Sequence, residues 1–383
     1  MRKSILGALA VAGLFAGGAL LFTAAAQEQP ASQPGLAVSP PPGQGFGRGG
    51  RGRGGGGRGP VPLDPAQVAD LKLRYVAPTQ APHPDTNPGT PAKVALGTQL
   101  FFDPALSGNG RLACATCHDA RAGFADRRAL SLGVTGSALA RRTPTVINLA
   151  WSERLFWDGR AATLEQQAVM PIADEKEMGM PHAVMVSKLQ ADMQYRRLFE
   201  AAFPGEGVSV ATVGKALAAF ERTLLFAQAP FDRWVAGDDS AISDSAKRGF
   251  VEFNTRAGCA QCHSGWNFTD GKFHDIGVPG SDAGRFGVTG DEAHRHGFKT
   301  PGLRNIAQRA PYMHDGHLAT LNAVLRFYDR GFERRATLAP EMRNVRARGG
   351  RDIVTFLETL TTPMLPELLG LQEALDRKLA SGD

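Results

Sequence analysis

Apolar residues recur at helical spacing in separate blocks along the chain, and the stretches between them carry glycine and proline instead. Asp64-Pro65 has the form of a cap followed by proline at the first helical position, predicting a short helix toward Tyr75. Pro91 to Phe102 reads as a second helix ending in an aromatic pair, and residues 103–150 read as loop punctuated by Gly108, Gly110, Gly123, Gly133 and Gly136. Ala161 to Val169 and Ala183 to Phe203 predict helices. Ser209 is placed to cap a longer one, in which Val210, Val213, Leu217, Phe220 and Leu224 form an apolar stripe. The second half repeats the plan: a helix from Ser243 to Phe253, a glycine-rich loop over 265–302, a helix capped by Thr320, another near Arg351–Leu360 and a last one over Leu365–Leu379. Strand signals are few and short. The predicted fold class is mainly α, two helical modules with long loops and little strand. Loops of that length signal either disorder or a bound group that fills the space, and the bound group suits these better.

The N-terminus departs from this pattern. Arg2 and Lys3 precede an apolar run from Ile5 to Ala26, and Thr23-Ala24-Ala25-Ala26 makes a small-residue cleavage site before Gln27. Residues 1–26 are therefore a signal peptide or, uncleaved, a membrane anchor; either places the body in the periplasm. Residues 27–62 lack apolar periodicity. Eleven glycines and the arginines Arg48, Arg51, Arg53 and Arg58 fall between Gly43 and Gly59, which predicts a disordered Gly/Arg/Pro-rich linker. Of the net charge of +6, residues 1–60 carry +5, so the rest of the 383-residue chain carries only +1. That balance argues against a nucleic-acid-binding domain in the folded part and leaves the linker as a basic spacer near an anionic surface.

All four cysteines fall in two copies of one frame, Cys114-Ala115-Thr116-Cys117-His118 and Cys259-Ala260-Gln261-Cys262-His263. Cys-x-x-Cys-His is the attachment frame of c-type haem: the thiols become thioethers and the adjacent histidine is held under the iron. A zinc site built from the four thiolates would have to converge across 141 intervening residues and would leave both histidines without a purpose. A thioredoxin-like disulfide calls for a strand–helix context that this sequence lacks. The expected cofactors are two covalent haems. They would lie in an N-terminal haem domain at 63–240 and a C-terminal one at 241–361, packed together and followed by a C-terminal helix at 362–383.

With both frames in view, the chain resembles the bacterial dihaem cytochrome c peroxidase superfamily, on its MauG-like branch. The resemblance covers roughly residues 85–360. Beyond the haem frames it rests on Arg142-Thr143-Pro144-Thr145, on Phe156-Trp157-Asp158-Gly159-Arg160-Ala161 with Leu164 and Gln167-Ala168, and on Glu177-Met178. In the second half it rests on Pro301-Gly302-Leu303-Arg304-Asn305 and Pro311-Tyr312-Met313-His314-Asp315-Gly316. It implies that the N-terminal haem reacts with peroxide, the C-terminal haem passes electrons, Trp157 lies between them, and Gln167 and Glu177 form the peroxide pocket. Asp158 and Arg160 would hold the loop or meet haem propionates.

Three departures from the family pattern alter the expected mechanism. Val134 stands where most members place a histidine that caps the first iron; the haem on His118 should then be open, with Met178 and Met180 as remote rivals for that iron. Tyr328 stands where most have a distal methionine for the haem on His263, on a helix face with Leu321, Val324 and Leu325. Met313 is the less favoured rival. Arg142 and Arg309 replace the residues that would hold an inter-haem calcium ion, so calcium is not expected. The implied activity is reduction of hydrogen peroxide to water through a bis-ferryl-like store, with electrons from a small cytochrome c or cupredoxin. The alternative is a MauG-like oxidase that modifies Trp or Tyr side chains of a periplasmic partner protein.

Overall fold

The computed structural model describes residues 64–347 and 350–381; the signal or anchor at 1–26 and the linker at 27–62 lie outside them. The described chain is mainly helical. The first half holds α1 (Pro65–Leu73), α2 (Pro91–Phe101), the single turn α3 (Cys114–Cys117), α4 (Leu164–Ala173), α5 (His182–Ala191), α6 (Met193–Ala202) and α7 (Val210–Thr223). The second holds α8 (Pro230–Val235), α9 (Asp244–Asn254), the short turn α10 (Phe286–Thr289), α11 (Leu321–Arg326), α12 (Gly350–Glu358) and α13 (Pro366–Ser381). The only sheet among the described residues pairs β1 (Phe273–His274) with β2 (Phe298–Lys299), antiparallel.

Asp64, Ser209 and Thr320, read from sequence as caps, and Ser243, read as a first helical residue, each accept a backbone N–H of the following turn. Two expected helices are redrawn. The stretch 183–203 breaks at Asp192, whose extended backbone ends α5 and whose carboxylate accepts the Gln194 and Tyr195 N–H groups to open α6. The helix expected from Ala161 begins instead after the Thr163 cap, because Ala161 is paired with Leu155 across a tight loop.

Two apolar cores form, each around one cysteine frame. One gathers Leu100, Phe101, Phe124, Leu217 and Phe220; the other gathers Phe231, Phe250, Phe253, Phe268 and Phe356. In each, two helices touch backbone to backbone at a glycine. There is no room for a Cβ on Gly97 of α2 against the Ala216 carbonyl of α7, nor on Gly249 of α9 against the Asp352 carbonyl of α12. The chain ends cross over. Tyr75, just after α1, packs in the second core and bonds Asn254, whereas α13 returns to the first, where Gln372 accepts the Ala120 N–H and donates to the Ala115 carbonyl.

Residues 143–171 repeat as 300–328, an offset of 157 positions, whereas the cysteine frames themselves are 145 apart. Thr143-Pro144 and Asn148 answer to Thr300-Pro301 and Asn305, with both asparagines in left-handed backbone. The bridge Leu155–Ala161 answers to Tyr312–Leu318, Gly159 to Gly316, and the cap Thr163 to Thr320. In this register Trp157 matches His314, and Pro171 matches Tyr328.

Candidate functional site

The two cysteine frames open on one cavity of about 1080 Å³, at the upper end of the ~300–1,000 Å³ typical of ligand pockets. Its wall includes Cys114, Cys117 and His118 from the first half and Cys259, Cys262 and His263 from the second. Each histidine is oriented in the same way. His118 Nδ1 lies 3.1 Å from the Phe124 carbonyl oxygen and His263 Nδ1 lies 2.9 Å from that of Phe268, so each ring donates through Nδ1 and keeps Nε2 free to ligate. Burial lowers both imidazole pKa values, which keeps the rings neutral. Phe124 and Phe268 adopt left-handed backbone, turning their carbonyls back to these rings.

The lining chemistry suits covalent haem. All four cysteines are free thiols, and burial pushes Cys114 and Cys259 up to about 12 and Cys117 to about 11. Thiols held neutral in this way suit thioether bonds and do not suit a thiolate metal cluster. Arg309 Nε and Arg304 Nη2 are buried at the cavity wall without a hydrogen-bond partner, as a propionate-bearing group would require. Among the described residues, the one cluster able to hold a metal ion is Cys262, Asp270 and His274, and it includes a cysteine of the second frame.

Gln167 and Glu177 both line this cavity, Gln167 on α4 and Glu177 on the loop that follows. Gln167 Oε1 is buried with no partner. Burial, reinforced by Asp174, raises the Glu177 pKa above the ordinary carboxylate range, with Arg160 opposing. Val134 is not among the lining residues. Its N–H donates to the Glu177 carbonyl oxygen at 2.7 Å, and its side chain faces Gly179. Met178 reaches the wall and Met180 does not.

Leu321, Val324, Leu325 and Tyr328 all line the cavity, as does Met313. The helix bearing Tyr328 passes from α11 into a π-helical turn, Phe327–Gly331. Burial, then Cys259 and Cys262, drive the Tyr328 phenol pKa upward.

Trp157 is pinned at the junction of the halves. Its Nε1 donates to the Arg142 carbonyl oxygen at 2.7 Å, and its ring meets that of His314 edge-on, centroids 6.4 Å apart. His314 in turn stacks on Phe298 at 3.7 Å. Asp158 accepts from Arg141 (2.6 Å) and Arg160 (3.0 Å), and Arg141 also grips Asp282, so this network holds the loop across the junction. Arg142 is 4% exposed, and its guanidinium donates to the carbonyl oxygens of Asp126, Arg128, Arg309 and Ala310. Arg309 donates to the Gly302 carbonyl oxygen.

The sequence reading missed Arg141, Asp282 and Glu221. The two ion-pair partners are 141 residues apart, and neither falls in a motif. Glu221 had one available signal, its place four residues after Leu217 on the buried side of α7.

A family model described as di-haem cytochrome c peroxidase matches residues 91–240. The methylamine utilization protein MauG of Methylorubrum extorquens is 49% identical over 312 residues, covering 78% of this chain and 88% of its own length. The cytochrome c551 peroxidase of Nitrosomonas europaea is 36% identical over 272 residues, covering 70% of this chain and 79% of its own. Among solved structures, a MauG-like protein associated with microbial copper homeostasis superposes with a TM-score of 0.70 at 31% identity, covering 77% of this chain and 97% of its own. Likeness at these identities and over these lengths settles the kinship, and the chain belongs to the bacterial di-haem cytochrome c peroxidase family, on its MauG-like branch.

Proposed function

We propose that this protein is a periplasmic di-haem peroxidase that reduces hydrogen peroxide with electrons from a small redox protein. The observation that carries the reading is the single cavity shared by both attachment frames, with Glu177 and Gln167 on the wall it shares with the first. A haem held by Cys114, Cys117 and His118 supplies cleavage of the peroxide bond, and one held by Cys259, Cys262, His263 and Tyr328 supplies electron transfer and storage of an oxidising equivalent.

Within that site Glu177 takes the proton from one peroxide oxygen and delivers it to the other, which leaves as water. Burial raises its pKa, which makes this carboxylate a stronger base than an exposed one. Gln167 orients peroxide through an amide that has no competing partner. Val134, turned toward Gly179, offers no ligand atom to the first site, which leaves Met178 as the thioether on that wall. Tyr328 is buried without a basic neighbour, so its phenolate forms only against a cation at the second site. Trp157, half-buried and held by Arg142 and His314, is placed to bridge the two sites. Arg142 fills the carbonyl cage that an inter-haem ion would otherwise need.

Steady-state peroxide consumption with a reduced small cytochrome c or cupredoxin as sole donor tests the reading, and sustained turnover is expected. The 49% identity to a methylamine utilization protein favours one second reading, oxidation of Trp or Tyr side chains of a partner protein. Negligible turnover with such donors, together with mass changes at Trp or Tyr of a co-exported protein, would establish that second reading.

A further inference from the structure

Glu221 is a buried carboxyl for which the fold has no structural use. It lies on α7 two turns beyond Gly214, where α7 comes against α4: a Cβ on Gly214 would stand 2.6 Å from the Glu165 carbonyl oxygen. Seven residues return a helix to nearly the same face. Glu221 is 4% exposed, lines the cavity, and has its Oε2 fully buried with no hydrogen-bond partner. A carboxyl retained for structure would be paired or bonded, because an isolated buried acid is costly.

The groups that face it explain why it is unpaired. They are Arg222 on its own helix, Glu165 of α4 and Cys114 of α3. Arg222 is committed elsewhere, with Nη1 2.6 Å from Glu165 Oε1. Burial therefore prevails over the pull of Arg222, and the Glu165 charge adds to it, pushing the Glu221 carboxyl up to about 8. Cys114, a thioether position of the first haem, is the cavity group that feels Glu221 most directly.

We propose that Glu221 is the proton-uptake group of the first haem site, binding a proton when that site gains an electron and releasing it when the electron leaves. The step balances where Glu221 is ionised in the oxidised protein, toward and above pH 8: the ferric centre takes one electron from the donor protein, the Glu221 carboxylate takes one proton from water, and reoxidation returns both. The site's net charge is thus unchanged across the redox step, which matters in a cavity lined mainly by apolar groups, where charge is weakly screened. Glu221 is distinct from Glu177, which handles the proton that moves within peroxide.

The inference rests on the first frame carrying a haem, and haem content by pyridine haemochrome tests that premise separately: fewer than two haems per chain would sink the premise. On the two-haem protein, spectroelectrochemical titration at pH 6 to 10 should show the first haem's midpoint potential level at low pH and falling as pH rises through and above about 8. Glu221→Gln, which mimics the protonated acid in size and charge, should flatten that dependence. Redox-difference infrared spectra should show a protonated-carboxyl band on reduction that Glu221→Gln removes. If Glu221→Gln does not load haem, Glu221→Asp keeps an ionisable group on a shorter arm and should shift the pH midpoint; an unmoved midpoint overturns the proposal. A pH-independent wild-type potential overturns it as well. A slope that persists in Glu221→Gln and vanishes in Glu177→Gln assigns the proton to Glu177, with the same consequence.

Discussion

Glu177 and Glu221 face one cavity, and burial leads the shift in both, yet they lead to different expectations. The proposed base Glu177 must be ionised to accept a proton, so the rate of reaction with peroxide should rise with pH through an apparent pKa above the ordinary carboxylate range. Glu177→Gln should remove that limb and slow the reaction ~10²–10⁴-fold; stopped-flow rates within about twofold of wild type would make Glu177 structural. For Glu221 the linkage concerns stability. Its folded-state pKa, about 8, lies above the ordinary carboxyl value of 4.5, so the folded protein binds the extra proton. The contribution is fully present below about 4.5 and is lost as pH rises through about 8. Thermal melts of Glu221→Gln should therefore lose less stability than wild type between pH 5 and 9. For Tyr328, replacement by Phe should change the spectrum of the second haem and leave the first five-coordinate; an unchanged low-spin signal would transfer the ligand role to Met313. Cysteine, histidine and pocket residues were legible because each lies in a short fixed frame. Glu221 was not, because an acid among Phe220, Arg222 and Thr223 looks like an ordinary helix surface until the packing against α4 is known.

Helix starts were legible at Asp64, Ser209, Ser243 and Thr320, where a capping side chain opens a stretch that reads as helix. Starts hidden inside what reads as one continuous helix were not. Asp192 looks like an ordinary helix residue until its cap to α6 is seen, and Ala161 stays out of α4 because Leu155 holds it. The glycine contacts belong with these elements. Gly97 and Gly249 let α2 meet α7 and α9 meet α12 without side chains between them. Gly97→Ala and Gly249→Ala must each push a helix pair apart, at a cost of about 1–3 kcal/mol from overpacking. Differential scanning calorimetry of the loaded protein should show a lowered Tm in each; an unchanged Tm would mean the crossings relax freely.

Across the whole molecule, the junction of the halves depends on Arg142. Its guanidinium ties the backbone near Asp126 and Arg128 to that near Arg309 and Ala310, while its carbonyl oxygen holds Trp157. Hydrogen bonds to a charged group contribute ~1.5–3 kcal/mol each, so Arg142→Gln should destabilise more than either glycine change. A chelator should have no effect, since a fixed guanidinium cannot be extracted: EDTA treatment is expected to leave both the haem spectrum and turnover unchanged, and loss of either would show that an ion is required. None of this cage is visible in sequence, because its acceptors are main-chain carbonyls. The 157-residue repeat has a further consequence, for ancestry. Segments 143–171 and 300–328 match in a bridge, a left-handed asparagine, a glycine turn and a cap, as two copies of one module would, and they differ at a few places. At one such place a proline, which offers no ligand atom, faces a tyrosine, which does; at another a tryptophan faces a histidine. In the proposed reading, exchanges of this kind are what separate the copy that reacts with peroxide from the copy that stores an oxidising equivalent.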